Sequence, residues 1–171
     1  MKGVYCIRTI VEGVPDMADD FSTDNMLDMY LYENGQLLEQ LEEIVLENKD
    51  EDSFDENNIN EIFRIMHTIK GSSGVMKYDD IMKTSHKLED IFYFLRENRN
   101  VEEHHMELTE IIFRVLDFIN GEMDKIKDGN DPDGDSSELI TDMEKFLAGL
   151  KDNKQAPQED KQQEKEESKI T

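Results

Sequence analysis

Residues 67–74, with the sequence HTIKGSSG, place a histidine, a lysine and two glycines at helical spacing. Lys70, Gly71 and Gly74 follow His67 at i+3, i+4 and i+7, so all four share one side of a helix. A glycine inside a helix costs about 1 kcal/mol relative to alanine, and two of them close together need a reason. Close approach of another molecule is such a reason, so the spacing predicts a histidine that a partner can reach.

A carboxylate near this histidine would give it phosphoryl chemistry. The next amphipathic segment carries His86 and Glu89 one turn apart, and a helical bundle can bring both to face His67. A carboxylate that accepts the proton of one imidazole nitrogen fixes the tautomer and makes the other nitrogen more nucleophilic. That nitrogen can take a phosphoryl group, whose charge Lys70 would offset. Spacing alone leaves open a purely structural alternative, a polar helix edge with two tolerated glycines.

The other histidines and the acidic clusters do not indicate a metal site. Glu102 and His105 have the Glu-x-x-His spacing of di-iron bundles, which need a second copy of that motif, and the sequence has none. His104 lies among glutamates and is assigned no role. The acidic loop at residues 128–134 resembles a calcium loop only loosely, because the regular ligand spacing and the closing glutamate are absent. We therefore expect neither a metal nor a bound cofactor in this chain.

The elements that position these residues are predicted to be helices. Apolar residues recur at helical spacing through long segments with few prolines, which favours an all-α fold. Four long helices are expected from about Asp24, as an N-cap, to Asn48, from Asp55 to Val75, from Asp80 to Asn98 and from Val101 to Lys127, with a shorter fifth from about Ser136 to Leu150. Short connections between long helices predict an antiparallel up-and-down four-helix bundle, with the fifth helix outside it or extending it.

Both ends of the chain differ in character from this helical part. Residues 1–22 contain a β-branched, strand-like run at residues 4–11 and are expected to form an N-terminal extension of uncertain structure. The helical domain is predicted over residues 23–150. Residues 151–171 are rich in Lys, Gln and Glu and nearly free of apolar side chains, so we expect a disordered polar tail or linker.

The charge and composition of the chain restrict its partners and its location. The 171 residues carry a formal net charge of −23, which would repel a nucleic-acid backbone and an anionic membrane surface. No segment is apolar over the length of a membrane span, and the first residues lack the apolar core of a signal peptide. The single cysteine, Cys6, excludes an internal disulfide. We therefore expect a cytoplasmic protein without nucleic-acid or membrane partners.

Residues 67–74, together with the sequence HKLED at residues 86–90, closely resemble the histidine phosphotransfer domain at the start of the chemotaxis kinase CheA. Residues 62–66 before the histidine and the Leu-Arg pair at residues 95–96 also fit that family. The resemblance covers about residues 24–150, including the fifth helix.

This resemblance implies a role for each site residue and a set of partners. His67 would be phosphorylated, Glu89 would hold its other ring nitrogen, and Lys70 and His86 would support the site. The kinase domain of a CheA dimer, using ATP and Mg²⁺, would phosphorylate the histidine, usually in trans. An aspartate in a receiver domain of the CheY or CheB type would then take the phosphoryl group.

One departure from a full CheA decides how this chain would act. The sequence has no Gly-rich nucleotide motif and none of the regulator-binding, dimerisation or receptor-coupling domains. The chain is therefore expected to be a phosphoryl carrier and not a complete kinase. Two alternatives remain open, a free-standing phosphotransfer protein in a multistep relay and a helical adaptor without chemistry.

Overall fold

The computed structural model describes the backbone of residues 17–99 and 104–155, and the side chains of residues 23–99 and 104–153. These residues form five helices, and no β-strand occurs among them, which confirms the predicted all-α class. The helices are α1 (Met17–Asn48), α2 (Glu56–Met76), α3 (Asp79–Glu97), α4 (His105–Lys127) and α5 (Ser137–Gln155). None of them is long and apolar enough to cross a membrane.

The first four helices form a closed antiparallel bundle. Both α1 and α3 pack against α2 and α4, so each of the four helices has two neighbours within the bundle. Tyr30 on α1 bonds to Ser73 on α2, and Gln40 on α1 bonds to Glu61 on α2, so these two helices run in opposite directions. The fifth helix packs outside this bundle against α3 and α4, which is one of the two arrangements that the sequence left open.

The apolar stripes predicted from the sequence meet in one core. The largest fully buried side chains come from four helices. They are Leu38 and Leu41 on α1, Ile62, Ile65, Met66 and Ile69 on α2, Ile81, Leu88, Ile91 and Phe92 on α3, and Leu108 and Ile112 on α4. Each such side chain contributes about 1.5–3 kcal/mol by leaving water, so this core fixes the four helices relative to one another.

Several helix ends differ from the sequence expectations. Helix α1 begins at Met17, so the predicted N-cap Asp24 lies inside the helix, and α4 begins at His105 and not near Val101. Helix α5 continues past its predicted end and reaches Gln155, and residues 151–155 contain no proline or glycine that would stop it. The strand-like run at residues 4–11 and the tail beyond residue 155 lie outside the described residues.

The acidic loop before α5 is tied down by hydrogen bonds from the bundle. The buried carboxylate of Glu122 accepts from the backbone N–H of Gly134 at 2.8 Å and pairs with Lys125 at 2.6 Å. Lys125 also lies 2.8 Å from Asp133, and this lysine holds the pKa of the Asp133 carboxyl below its ordinary value. The loop therefore serves as an anchored connection to α5.

Candidate functional site

Helix α2 presents the predicted histidine, and its ends are well defined. Asp55 caps the start, because its carboxylate accepts from the backbone N–H of Asn58 at 2.7 Å. The helix ends at Met76, and the C-cap Lys77 has a left-handed φ of 61° and donates its N–H to the carbonyl of Gly74. The left-handed position is thus taken by a lysine, so neither Gly71 nor Gly74 is needed to end the helix.

His67 and Glu89 meet across the interface of α2 and α3. The imidazole Nδ1 lies 2.7 Å from the carboxylate Oε1 of Glu89, which is a hydrogen bond. The His67 side chain is 62% exposed, whereas the Glu89 side chain is only 9% exposed. A reachable imidazole is therefore held from below by a carboxylate in the helix interface.

Lys70 contacts the same carboxylate from the other side. Its Nζ lies 2.6 Å from Oε2 of Glu89, and the lysine side chain is 27% exposed. Burial alone would raise the pKa of the Glu89 carboxyl, but the bonds and charges of Lys70 and then His67 outweigh burial. Together they hold that pKa below its ordinary value, so Glu89 is ionised at neutral pH.

The ionised state of Glu89 determines the tautomer of His67. An ionised carboxylate can only accept hydrogen bonds, so Nδ1 of the imidazole must carry the proton and donate it. In the neutral ring the other nitrogen, Nε2, then holds a lone pair. The site therefore offers a nucleophilic nitrogen on an exposed ring, with an ammonium group one helical turn away.

Aromatic and cationic side chains flank the imidazole on the side opposite to the glycines. Phe63, one turn before His67, stacks with the imidazole at a centroid distance of 6.0 Å and an interplanar angle of 22°. The guanidinium carbon of Arg96 on α3 lies 4.2 Å from the centroid of the Phe63 ring. Tyr93, also on α3 and 52% exposed, lies against both groups.

The glycines leave the surface beside the histidine open. A Cβ at Gly71 would meet no other atom within 4 Å, and one at Gly74 would make only ordinary contact with Met82 at 3.4 Å. Neither glycine is therefore required for helix packing in this chain. The sequence expectation of clearance for a partner is compatible with both environments and stays a prediction.

The two serines between the glycines have a role that sequence reasoning missed. The hydroxyls of Ser73 and Tyr30 lie 2.9 Å apart, and the Ser72 hydroxyl donates to Asn34 Oδ1 at 2.9 Å. Burial raises the pKa of Tyr30 to about 12, although its bond to Ser73 acts in the opposite direction. The available signal was Asn34, a polar residue four positions from Tyr30 on the apolar stripe of α1.

His86, which the sequence predicted beside His67, makes its contact elsewhere. The His86 side chain is 58% exposed, and its Nε2 lies 3.6 Å from Asp90 on its own helix. In the described part of the chain no hydrogen bond or ion pair joins His86 to His67. Of the remaining histidines, His104 contacts Asn153 and His105 packs on Phe54, and neither belongs to the site.

The chain belongs to the Hpt domain family, whose pattern it matches over residues 25–129. This confirms the resemblance inferred from the histidine motif. Relatives include the chemotaxis protein CheA of Listeria monocytogenes, which is 30% identical over 125 residues, and that of Bacillus subtilis, 32% identical over 117 residues. These alignments cover 73% and 66% of this chain but only 20% and 16% of the relatives, so the chain spans about a fifth of their length or less.

A solved structure has the same fold. It is the crystal structure of the phosphorylated P1 domain of CheA3 in complex with CheY6 from R. sphaeroides. The TM-score is 0.65 at 22% sequence identity, and the match covers 74% of this chain and 98% of that domain. At this identity the likeness establishes the helical architecture of the bundle.

Proposed function

We propose that this chain is the phosphoryl carrier of a two-component phosphorelay of the chemotaxis type, with His67 as the residue that carries the phosphoryl group. The observation that carries the proposal is the imidazole whose Nδ1 donates to Glu89 while its ring is exposed to solvent. Membership of the Hpt domain family supports it.

The chemistry requires no proton transfer at the attacking nitrogen. The lone pair of His67 Nε2 attacks the terminal phosphorus of the donor nucleotide, an N–P bond forms, and the bond from phosphorus to the bridging oxygen breaks as the nucleoside diphosphate leaves. In the second transfer a carboxylate oxygen of the receiver aspartate attacks the phosphorus. The N–P bond then breaks and its electron pair returns to Nε2.

Lys70 and Glu89 support the two transfers in different ways. Glu89 keeps the proton on Nδ1 throughout, and its negative charge stabilises the partial positive charge that the ring develops when Nε2 is phosphorylated. Lys70 lies one turn from His67 and is only partly buried. Its ammonium group can therefore move from Glu89 towards the phosphoryl oxygens. The exposed His86 lies beside Asp90 on its own helix, and we assign it no direct role.

The partners follow from the chemistry of a carrier. The chain needs a donor with ATP and Mg²⁺, which we propose is the kinase domain of a CheA protein, and an acceptor with a receiver aspartate. The relatives named chemotaxis protein CheA support the first, and the P1 domain solved in complex with CheY6 supports the second. The acceptor would be a receiver domain of the CheY or CheB type. We place this chain in the cytoplasm together with these partners. The CheA relatives favour this assignment over a multistep relay.

Labelling with a CheA kinase core and radiolabelled ATP tests the proposal. The wild-type chain should acquire an acid-labile, base-stable phosphate, and His67→Gln should acquire none. His104→Asn is the matched control, because it removes an exposed histidine at the start of α4, where asparagine tolerates the left-handed backbone. Labelling that survives in His67→Gln would exclude His67 as the carrier.

A further inference from the structure

The hydrogen bond to Glu89 does not by itself fix the orientation of the His67 ring. Among the described residues, Glu89 forms the hydrogen bond to this imidazole, and that bond restrains only Nδ1. The side chain lies on an exposed helix face. Side chains in helices generally adopt one of two χ1 rotamers. A ring held at one atom can pivot about that atom, so a second contact is needed to direct Nε2 outward.

Phe63 provides this second contact. Its ring lies nearly parallel to the imidazole, at 22°, and occupies the space over the preceding turn, towards which helical side chains lean. Phe63 is itself only partly buried, so its position depends on neighbours from α3. Arg96 covers the Phe63 ring at 4.2 Å, and Tyr93 packs beside it with a ring separation of 6.3 Å.

We propose that Arg96 is a positioning residue for phosphorylation, acting through Phe63 on the ring of His67. This inference rests on the proposed function of His67 as the phosphorylated residue. The planar guanidinium stacks on the aromatic face, and it also lies 5.2 Å from the Tyr93 centroid, so it fixes both aromatic rings. Lysine would keep the positive charge without the flat stacking surface.

The size of the effect follows from the number of ring orientations. If loss of the stack lets the imidazole divide its time among two or three rotamers, only one of them directs Nε2 correctly. The intrinsic phosphorylation rate should then fall about two- to threefold. This change is small, so it has to be measured without the additional effects of a protein partner.

Phosphoramidate is a suitable donor because it reacts with the chain alone. The His67 Nε2 lone pair attacks its phosphorus, the P–N bond of the N-protonated reagent breaks, and ammonia leaves. We expect Arg96→Ala, Arg96→Lys and Phe63→Leu to react about two- to threefold more slowly than wild type. Phe63→Tyr, which keeps the ring, should react like wild type.

Arg64→Ala is the matched control. Arg64 lies three residues before His67, is 76% exposed and pairs only weakly with Glu61 at 3.8 Å, so its removal changes the net charge equally without touching the stack. We expect its phosphoramidate rate to equal that of wild type. The three-bond couplings across χ1 of His67, measured by NMR, should shift towards rotamer averages in Arg96→Ala and remain unchanged in Arg64→Ala.

The outcomes separate this inference from the proposed function. If the wild-type chain takes no phosphoryl group at His67, the proposed function fails. If wild type reacts and Arg96→Ala reacts equally fast with unchanged couplings, the positioning role is refuted, and an Arg96→Lys rate equal to wild type would assign the effect to charge. Should Phe63→Leu fail to fold, the partly exposed Arg96 variants decide the result.

Discussion

Gly71→Ala tests whether the glycines beside His67 serve a partner or the fold. Gly71 lies in the interior of α2, and a Cβ at this position would meet nothing within 4 Å. The alanine methyl group therefore enters open space and strains no neighbour. The substitution should make the chain more stable, because glycine is the poorer residue in a helix interior.

The expected gain can be estimated from helix propensity and domain size. Glycine to alanine at a compatible helical position is worth about 0.5–1 kcal/mol in the free energy of unfolding. For a folded part of this size that gain raises the melting temperature by about 2–5 °C. Gly121→Ala in α4 should give a similar increase, because Gly121 is also helical with no neighbour within 4 Å of its Cβ.

The rate of phosphoryl transfer between proteins should fall in Gly71→Ala, although the stability rises. Gly71 lies about 40° around the helix from His67, so its methyl group would project into the space that an approaching active site must occupy. Overfilling a close contact costs about 1–2 kcal/mol, which corresponds to a five- to thirtyfold slower transfer from the kinase and to the receiver. Phosphorylation of the same variant by phosphoramidate should stay at the wild-type rate, because that reagent is small.

Three measurements decide the outcome. Thermal unfolding gives the stability, labelled ATP with a kinase core gives the partner-dependent rate, and phosphoramidate gives the intrinsic rate. Gly121→Ala should match Gly71→Ala in stability and match wild type in both rates. A Gly71→Ala chain that is stabilised yet transfers the phosphoryl group at the wild-type rate would show that no partner needs this clearance.

Two further predictions concern ionisable groups in and behind the site. Glu89→Gln should slow phosphorylation of His67 about tenfold or more and cost about 1–2 kcal/mol of stability at pH 7, because one charge-assisted hydrogen bond and the Lys70 pair are lost. Since folding lowers the Glu89 pKa, this stability difference should be present above pH 4.5, the ordinary value, and vanish in urea titrations as pH falls through the native pKa. Tyr30 shows the opposite sign: its pKa rises from 10.0 to about 12, so the unfolded chain ionises first. Wild type should therefore lose about 2 kcal/mol more stability than Tyr30→Phe between pH 10 and pH 12, and an equal loss in both chains would contradict the burial of that hydroxyl.

Much of the bundle could be predicted because helical periodicity is a local property. The core positions Leu38, Ile62 and Leu88 follow directly from apolar spacing, and all three are buried. The contact between His67 and Glu89 could also be predicted, because short connections force neighbouring helices to be antiparallel. Bundle topology therefore converts a pattern along the sequence into a contact across two helices.

Spacing within one helix is less informative where the rotation of that helix about its own axis decides the contact. His86 and Glu89 lie three residues apart on α3, and the sequence placed both beside the imidazole. The side chains differ in position by about 60° around the helix, so when Glu89 points into the interface His86 remains exposed beside Asp90. Such a difference is set by packing of the whole α2–α3 interface, which spacing within one helix does not specify.

The four residues from Gly71 to Gly74 combine two requirements that conflict in an ordinary helix. The outward positions carry no side chain, which leaves the surface beside His67 clear but lowers helix stability by about 2 kcal/mol in total. The serines between them bond to α1, through Tyr30 and Asn34, and two hydrogen bonds at about 1 kcal/mol each offset this loss. Helix α2 can therefore lack side chains on the side that faces solvent, because hydrogen bonds hold its other side to α1.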